Sequence, residues 1–221
     1  MPIQSLAPLR SKSKSREVFE RLRDAIWSGD LAPGTPLREA HLAKQLSVSQ
    51  VPVREALLQL ENLGLVVRVA DRGTTVTKLT RTEIVQMMEV RRHLEAYAFQ
   101  LAAPHTNKDV EAKLRAHLRK MQELVAKKDH FGVAEEDYSF HQTVWKASGN
   151  EVLEKTLQRL CISVYAFVSL QRHAAGEAMN FAVQSHTLLL DALLSHNQKR
   201  IRKAIDDHLT PEAVLPPSIA E

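Results

Sequence analysis

At 221 residues, 44% of them hydrophobic and only 7 glycine, the chain can fill the cores of two compact domains and favours helix over sheet, which excludes a disordered polypeptide. No apolar run approaches the roughly 18 to 20 residues of a membrane span, the N-terminus lacks a secretory apolar core, and the single cysteine, Cys161, permits no intrachain disulfide, so a cytoplasmic protein is expected. The formal charge of +4 sits wholly in residues 1–80, with 12 Lys+Arg against 8 Asp+Glu, whereas residues 81–221 carry 18 of each.

In chain order, residues 1–15 form a Ser-rich basic arm, in which Arg10, Lys12, Lys14 and then Arg16 precede any acid, suited to a phosphate backbone. Val18, Leu22, Ala25 and Ile26 recur at helical spacing over Arg16 to Ser28, and Gly29 with Pro33-Gly34 ends that helix in a turn. A second helix runs from about Arg38 to Leu46. The link Ser47-Val48-Ser49 leads to a third, with Ser49 as its N-cap, Pro52 in its first turn, a buried stripe of Val53, Ala56, Leu57, Leu60 and Leu63, and Gly64 as its stop. Leu65 to Val69 and Thr74 to Thr77 are β-prone and read as a hairpin across Ala70-Asp71-Arg72-Gly73. The expected fold class is therefore mainly α: a winged helix-turn-helix over 16–78, then an all-α bundle over 79–210, then an irregular tail over 211–221. Helices are expected near 80–103, 107–128, 131–148, 151–174, 177–195 and 198–208, with Lys78 to Thr82 as boundary and hinge. Cys161, in the apolar stretch Leu160 to Val168, reads as a buried, inert thiol.

A helix that docks in the major groove needs polar side chains at base edges and cations at phosphates. On the third helix Gln50 and Arg54 are four apart and share a face; Arg54 suits guanine and Gln50 adenine. Arg38, Ser49, Arg72 and Gly73 complete the expected DNA-binding set. The alternative for Arg54 is an ion pair with Glu55 or Glu39. Pro33-Gly34, Leu37-x-Glu39, Leu42-Ala43, Val48-Ser49, Pro52-Val53-Arg54-Glu55-Ala56-Leu57 and Leu60-x-x-x-Gly64-Leu65 together resemble the GntR-family regulators. The resemblance implies that Arg54 reads operator bases and that Arg72-Gly73 forms the tip of a wing in the minor groove. The sequence departs from the family at Gln50, usually Arg, and at Val51, usually Thr or a small residue, which shifts the expected operator sequence rather than DNA binding itself.

In the second domain Asp137 and His141 stand four apart, and His186 and His208 fall on later helices. One carboxylate and three imidazoles suit zinc first, and nickel, iron or manganese also, although spacing alone is a weak signal. From Glu89-Val-Arg91-Arg92-x-Leu94-Glu95 through Ser148-Gly149-Asn150 to His208-Leu209 the domain resembles the FCD type attached to one branch of these regulators. That resemblance implies a divalent metal held by Asp137, His141, His186 and His208, a small organic-acid effector beside it, and a repressor's role. Arg91 or Arg92 is the candidate partner for the acid, with an interhelical salt bridge as the alternative for each. His93, His117, His130 and His173 read as surface or structural residues. A homodimer on a palindromic operator is expected and an enzyme is not; the rivals are a metal-free bundle that only dimerises and a metal-dependent hydrolase or oxygenase.

Overall fold

The computed structural model describes residues 14–69, 73–175 and 180–210. Helix α1 (Lys14–Trp27) buries Val18, Leu22 and Ile26 along one stripe. It starts two residues before the expected point, so Lys14, read as part of the arm, is helical; Arg10, Lys12, Arg72 and the 211–221 tail lie outside the described residues. Strand β1 (Pro36–Leu37) follows, then α2 (Glu39–Gln45) and α3 (Gln50–Asn62). Ser49 occupies the N-cap of α3 but makes no cap hydrogen bond. With Pro52 third in the helix, one of the two N–H groups that an N-cap side chain can bond is missing. The other end closes as expected. Gly64 takes φ +78, its N–H reaches Glu61 O, and Leu65 N–H reaches Leu60 O, the paired bonds that satisfy the last carbonyls of a helix.

The hairpin is β2 (Val66–Val69) and β3 (Gly73–Val76), antiparallel with Val66 opposite Val76 and Val69 opposite Gly73. β1 adds to the far edge of β3, giving the order β1-β3-β2. This third strand is absent from the sequence reading because two residues between Gly34 and Arg38 carry a turn signature and no alternation. Leu37, Leu42, Val53, Leu57, Leu60, Leu65 and Val76 close over α1 as one core.

The bundle begins at α4 (Arg81–Ala102), whose cap is reciprocal: Thr80 accepts from Glu83 N–H and the Glu83 side chain takes Thr80 N–H. A 3-10 turn (Ala103–His105) leads to α5 (Lys108–Ala126), α6 (His130–Ala147), α7 (Glu151–Ala175), α8 (Asn180–Leu194) and α9 (Gln198–His208). Asn107, Asp129 and Asn197 cap α5, α6 and α9 with their side chains. Ile84, Met88, Phe99, Leu114, Met121, Phe140, Val144, Leu189, Leu193, Ile201 and Ile205 form the shared core, all fully buried.

Head and bundle are packed together. Ile162 and Ala166 of α7 belong to the head's core, and Trp27 meets Tyr138 of α6 edge-on at 5.7 Å. Gly29, after α1, is favoured by its left-handed φ of +82; a Cβ there would also lie 2.6 Å from Leu170 Cδ1, so that side chain would have to move.

Candidate functional site

Helices α6, α8 and α9 carry the four residues that the sequence singles out, and the fold turns all four inward. Asp137 and His141 share one face of α6, one turn apart. His141 and His186 are fully buried, His208 closes the cluster from the end of α9, and the ligand atoms of the three imidazoles lie within 4.8 Å of one another. His141 Nε2 is 3.2 Å from His208 Nε2. Asp137 Oδ1 is 3.7 Å from His141 Nε2 and 3.2 Å from His186 Nε2, yet His186 Nε2 makes no aligned hydrogen bond. Two of these spacings, both 3.2 Å, match ligand atoms sharing one ion, roughly 3.0 to 3.4 Å apart for bonds of about 2.1 Å, and the 3.7 Å contact is longer.

The opposite ring nitrogens fix the tautomers. His141 Nδ1 faces the Glu95 carboxylate at 3.0 Å, and His186 Nδ1 faces Ala182 O at 2.7 Å. Both partners only accept, so each Nδ1 carries a hydrogen and each Nε2 is turned to the cluster, the usual arrangement around a metal-bound histidine. Burial opposes a charge on His186, but Asp137 outweighs it and raises the imidazole's pKa. Burial, and after it the neighbouring His186 and His141, hold the His208 imidazole well below its ordinary pKa. Burial likewise lowers His141, partly offset by Glu95. Burial opposes ionisation of Asp137, but His186 and His141 outweigh it and hold the carboxyl well below its usual range. Three imidazole nitrogens and a carboxylate turned toward one another form a donor set whose chemistry fits a divalent cation.

Behind these four residues lies a buried polar layer. Glu95 is fully buried; its carboxylate takes hydrogen bonds from Arg91 Nε at 3.0 Å and Trp145 Nε1 at 2.8 Å, besides its contact with His141. Burial works against its charge, but His141 and Arg91 prevail and bring its pKa down to about 2. Arg91 Nη2 also donates to Tyr165 Oη at 2.6 Å, and Tyr165 Oη donates to Asp137 Oδ1 at 2.5 Å. Arg91 thus stands one hydroxyl away from the Asp137 carboxylate. Arg92 does not join this cluster: it faces Asp206 of α9 at 3.7 Å, the interhelical pair foreseen as its alternative.

In the head, Gln50, Val51, Arg54 and Glu55 form the exposed side of α3, while Val53, Ala56, Leu57 and Leu60 are buried on the other. Arg54 donates through Nε and Nη2 to Glu39 Oε2, at 3.0 and 2.9 Å. Arg38 is at the N-cap of α2 and exposed, and Gly73 begins β3 with φ +79.

Residues 14–76 match the model of bacterial regulatory proteins of the gntR family, and residues 86–211 match the FCD domain. The chain belongs to the GntR family of regulators, in its FCD-bearing branch. A probable D-xylose utilization operon transcriptional repressor from Paenarthrobacter nicotinovorans is 31% identical over 203 residues, spanning 90% of this chain and 88% of that protein. Among solved structures, E. coli McbR/YncC superposes with a TM-score of 0.78 at 23% identity, covering 90% of this chain and 94% of that one. A GntR regulator from Rhodococcus sp. RHA1 gives 0.75 at 24%, covering 90% and 94%. Both share the helical fold with a small N-terminal sheet. Among the described residues of this GntR regulator no helix is long and apolar enough to cross a membrane.

Sequence reasoning missed Glu95, Trp145 and Tyr165. Arg91 and Glu95 are four apart on one helix, which reads as a surface ion pair; only their 5% and 0% side-chain exposure shows otherwise. Nothing local links Tyr165 to residues 28 and 74 positions away.

Proposed function

We propose that this GntR regulator is a homodimeric repressor that binds palindromic operator DNA through α3 and the hairpin, and that a small organic acid bound beside a divalent metal in the bundle controls that affinity. The observation that carries the reading is the meeting of His141, His186 and His208, whose ligand atoms lie within 4.8 Å of one another, with Asp137 set against His141 and His186 and Nδ1 of both buried imidazoles already committed to acceptors. Those four would hold the metal, zinc first, with nickel, iron or manganese as alternatives. When bound, it supplies a Lewis acid for a carboxylate or hydroxyl oxygen of the effector.

Charge explains why the effector would be an acid. Arg91 neutralises Glu95 within the buried pair. That leaves Asp137's single negative charge against a divalent cation, and one more anion balances the site. Arg91 orients rather than chelates: its hydrogen bond holds Tyr165, which in turn holds the Asp137 carboxylate. Of the expected acid-binding pair, Arg91 is the one beside this site.

Helix α7 is the shared wall. Tyr165 bonds the site, while Ile162 and Ala166, on the same helix, pack in the core of the head. An acid that pulls Asp137 and Tyr165 into a new arrangement shifts α7 against the head, provided that it binds one arrangement more tightly than the other. In the head, Arg54 would read guanine, with Glu39 holding its guanidinium in place until DNA competes for it. Gln50 would read a neighbouring base, Arg38 and Ser49 would meet phosphates, and Arg72-Gly73 would reach the minor groove.

The test is fluorescence anisotropy on a duplex selected from a random library, with metal-loaded protein titrated with hydroxy acids and dicarboxylates. At least one acid is expected to shift Kd fivefold or more in the wild type and not in His141→Ala/His208→Ala. Equal response of both proteins, or no response to any acid, would contradict the effector reading.

A further inference from the structure

The outward side of α3 carries an apolar side chain that the fold does not use. Val51 is 60% exposed at the second helical position after Ser49. An apolar pair commonly fixes the entry of a helix, formed by the residue before the cap and the fourth helical residue. Here Val48 and Val53 supply it, Val53 within the head's core and Val48 partly buried against it, so Val51 is not needed for it. Helix propensity gives no reason for it either, because a β-branched residue is a poorer helix former than Ala.

Its neighbours are the polar residues Gln50 and Arg54, on the same exposed side. The first turn of a recognition helix is the part whose side chains reach base edges. A side chain of two methyl groups, with no donor and no acceptor, fits one feature of the major groove, the C5 methyl of thymine. Cytosine at the same place presents an amino donor that Val51 cannot accept, and no methyl.

Resting on the operator reading above, we propose that Val51 is a specificity-determining residue that packs against a thymine methyl in the bound DNA. Arg54 and the phosphate contacts hold the helix in the groove, and Val51 selects thymine over cytosine beneath it. Exposure of Val51 in the free protein then reflects a contact that only DNA completes.

The full wild-type chain is used to select duplexes from a random library. Kd is then measured for the selected duplex and for copies with one thymine at a time replaced by uracil, which removes the methyl and keeps the pairing. For the wild type, removing the methyl at one position per contact weakens binding about fourfold. Val51→Ala, which withdraws both γ-methyls and leaves only the shorter β-methyl, shows a smaller uracil penalty than the wild type, and Val51→Thr, which keeps one of the two γ-methyls, lies between them. Both substitutions are on the surface and leave the core intact. Uracil penalties that are the same in wild type and Val51→Ala at every position, or no sensitive thymine, overturn the assignment while operator binding stands. Failure to enrich any duplex overturns the operator reading, and the assignment with it.

Discussion

In residues 14–76 the charged side chains stand outside an apolar core, whereas in residues 81–210 the decisive ones are inside it. Among the described residues of the head, Ser15 and Thr74 are the only polar groups that are buried. In the bundle Arg91, Glu95, His141 and His186 are all buried and bonded to one another or to Tyr165, Trp145 and Asp137. The head can therefore change what it recognises by surface substitution at no cost to its fold. The bundle cannot: each group that would hold an effector or a metal also keeps a buried neighbour satisfied, and removing one partner of a buried charge pair is far costlier than removing an exposed one.

That contrast is sharpened most by Glu95→Ala. It leaves Arg91 buried without its carboxylate and strips His141 and Trp145 of their acceptor, so denaturant titration should show a loss of about 3–5 kcal/mol. A loss below about 1 kcal/mol would mean that water or a rearranged Arg91 meets the same need, and the interior would not be the rigid layer described here. Next in size is Tyr165→Phe, which deletes the hydroxyl between Arg91 and Asp137 and leaves the packing of the ring; a loss of about 1–3 kcal/mol is expected, with metal affinity down about tenfold. For the head, Arg54→Ala should weaken binding to the selected duplex tenfold or more while the denaturation midpoint stays put. A shifted midpoint would make the Arg54–Glu39 pair structural and blur the contrast. The smallest effect belongs to the seam: Trp27→Leu loses the edge-on contact with Tyr138, about 1 kcal/mol, and heat should then resolve head and bundle as two transitions where the wild type shows one.

Legibility in the sequence follows the same division. The head was readable because its signals are local: heptad-scale apolar spacing in α1 and α3, Gly64 closing α3, and a hairpin between β-prone runs. Only the two-residue β1 escaped, since a strand of that length leaves no period. In the bundle all six helices were readable from spacing and breaks, and Asp137, His141, His186 and His208 were singled out as candidate ligands by resemblance to a known pattern. The layer behind it was not. Glu95 meets His141 across 46 positions and Trp145 across 50, and such pairings are decided by how α4, α6 and α7 pack. The head's use of Ile162 and Ala166 was invisible for the same reason, because an apolar residue on α7 does not announce which of two cores it enters.

The measurement that bears most directly on the account is elemental analysis of the protein purified without a histidine tag, wild type beside His141→Ala/His208→Ala. The account predicts close to one transition-metal ion per chain in the wild type and loss of it in the double variant. No metal in either protein, even after incubation with zinc or nickel, would contradict it and reduce Asp137, His141, His186 and His208 to polar residues that hold the bundle together.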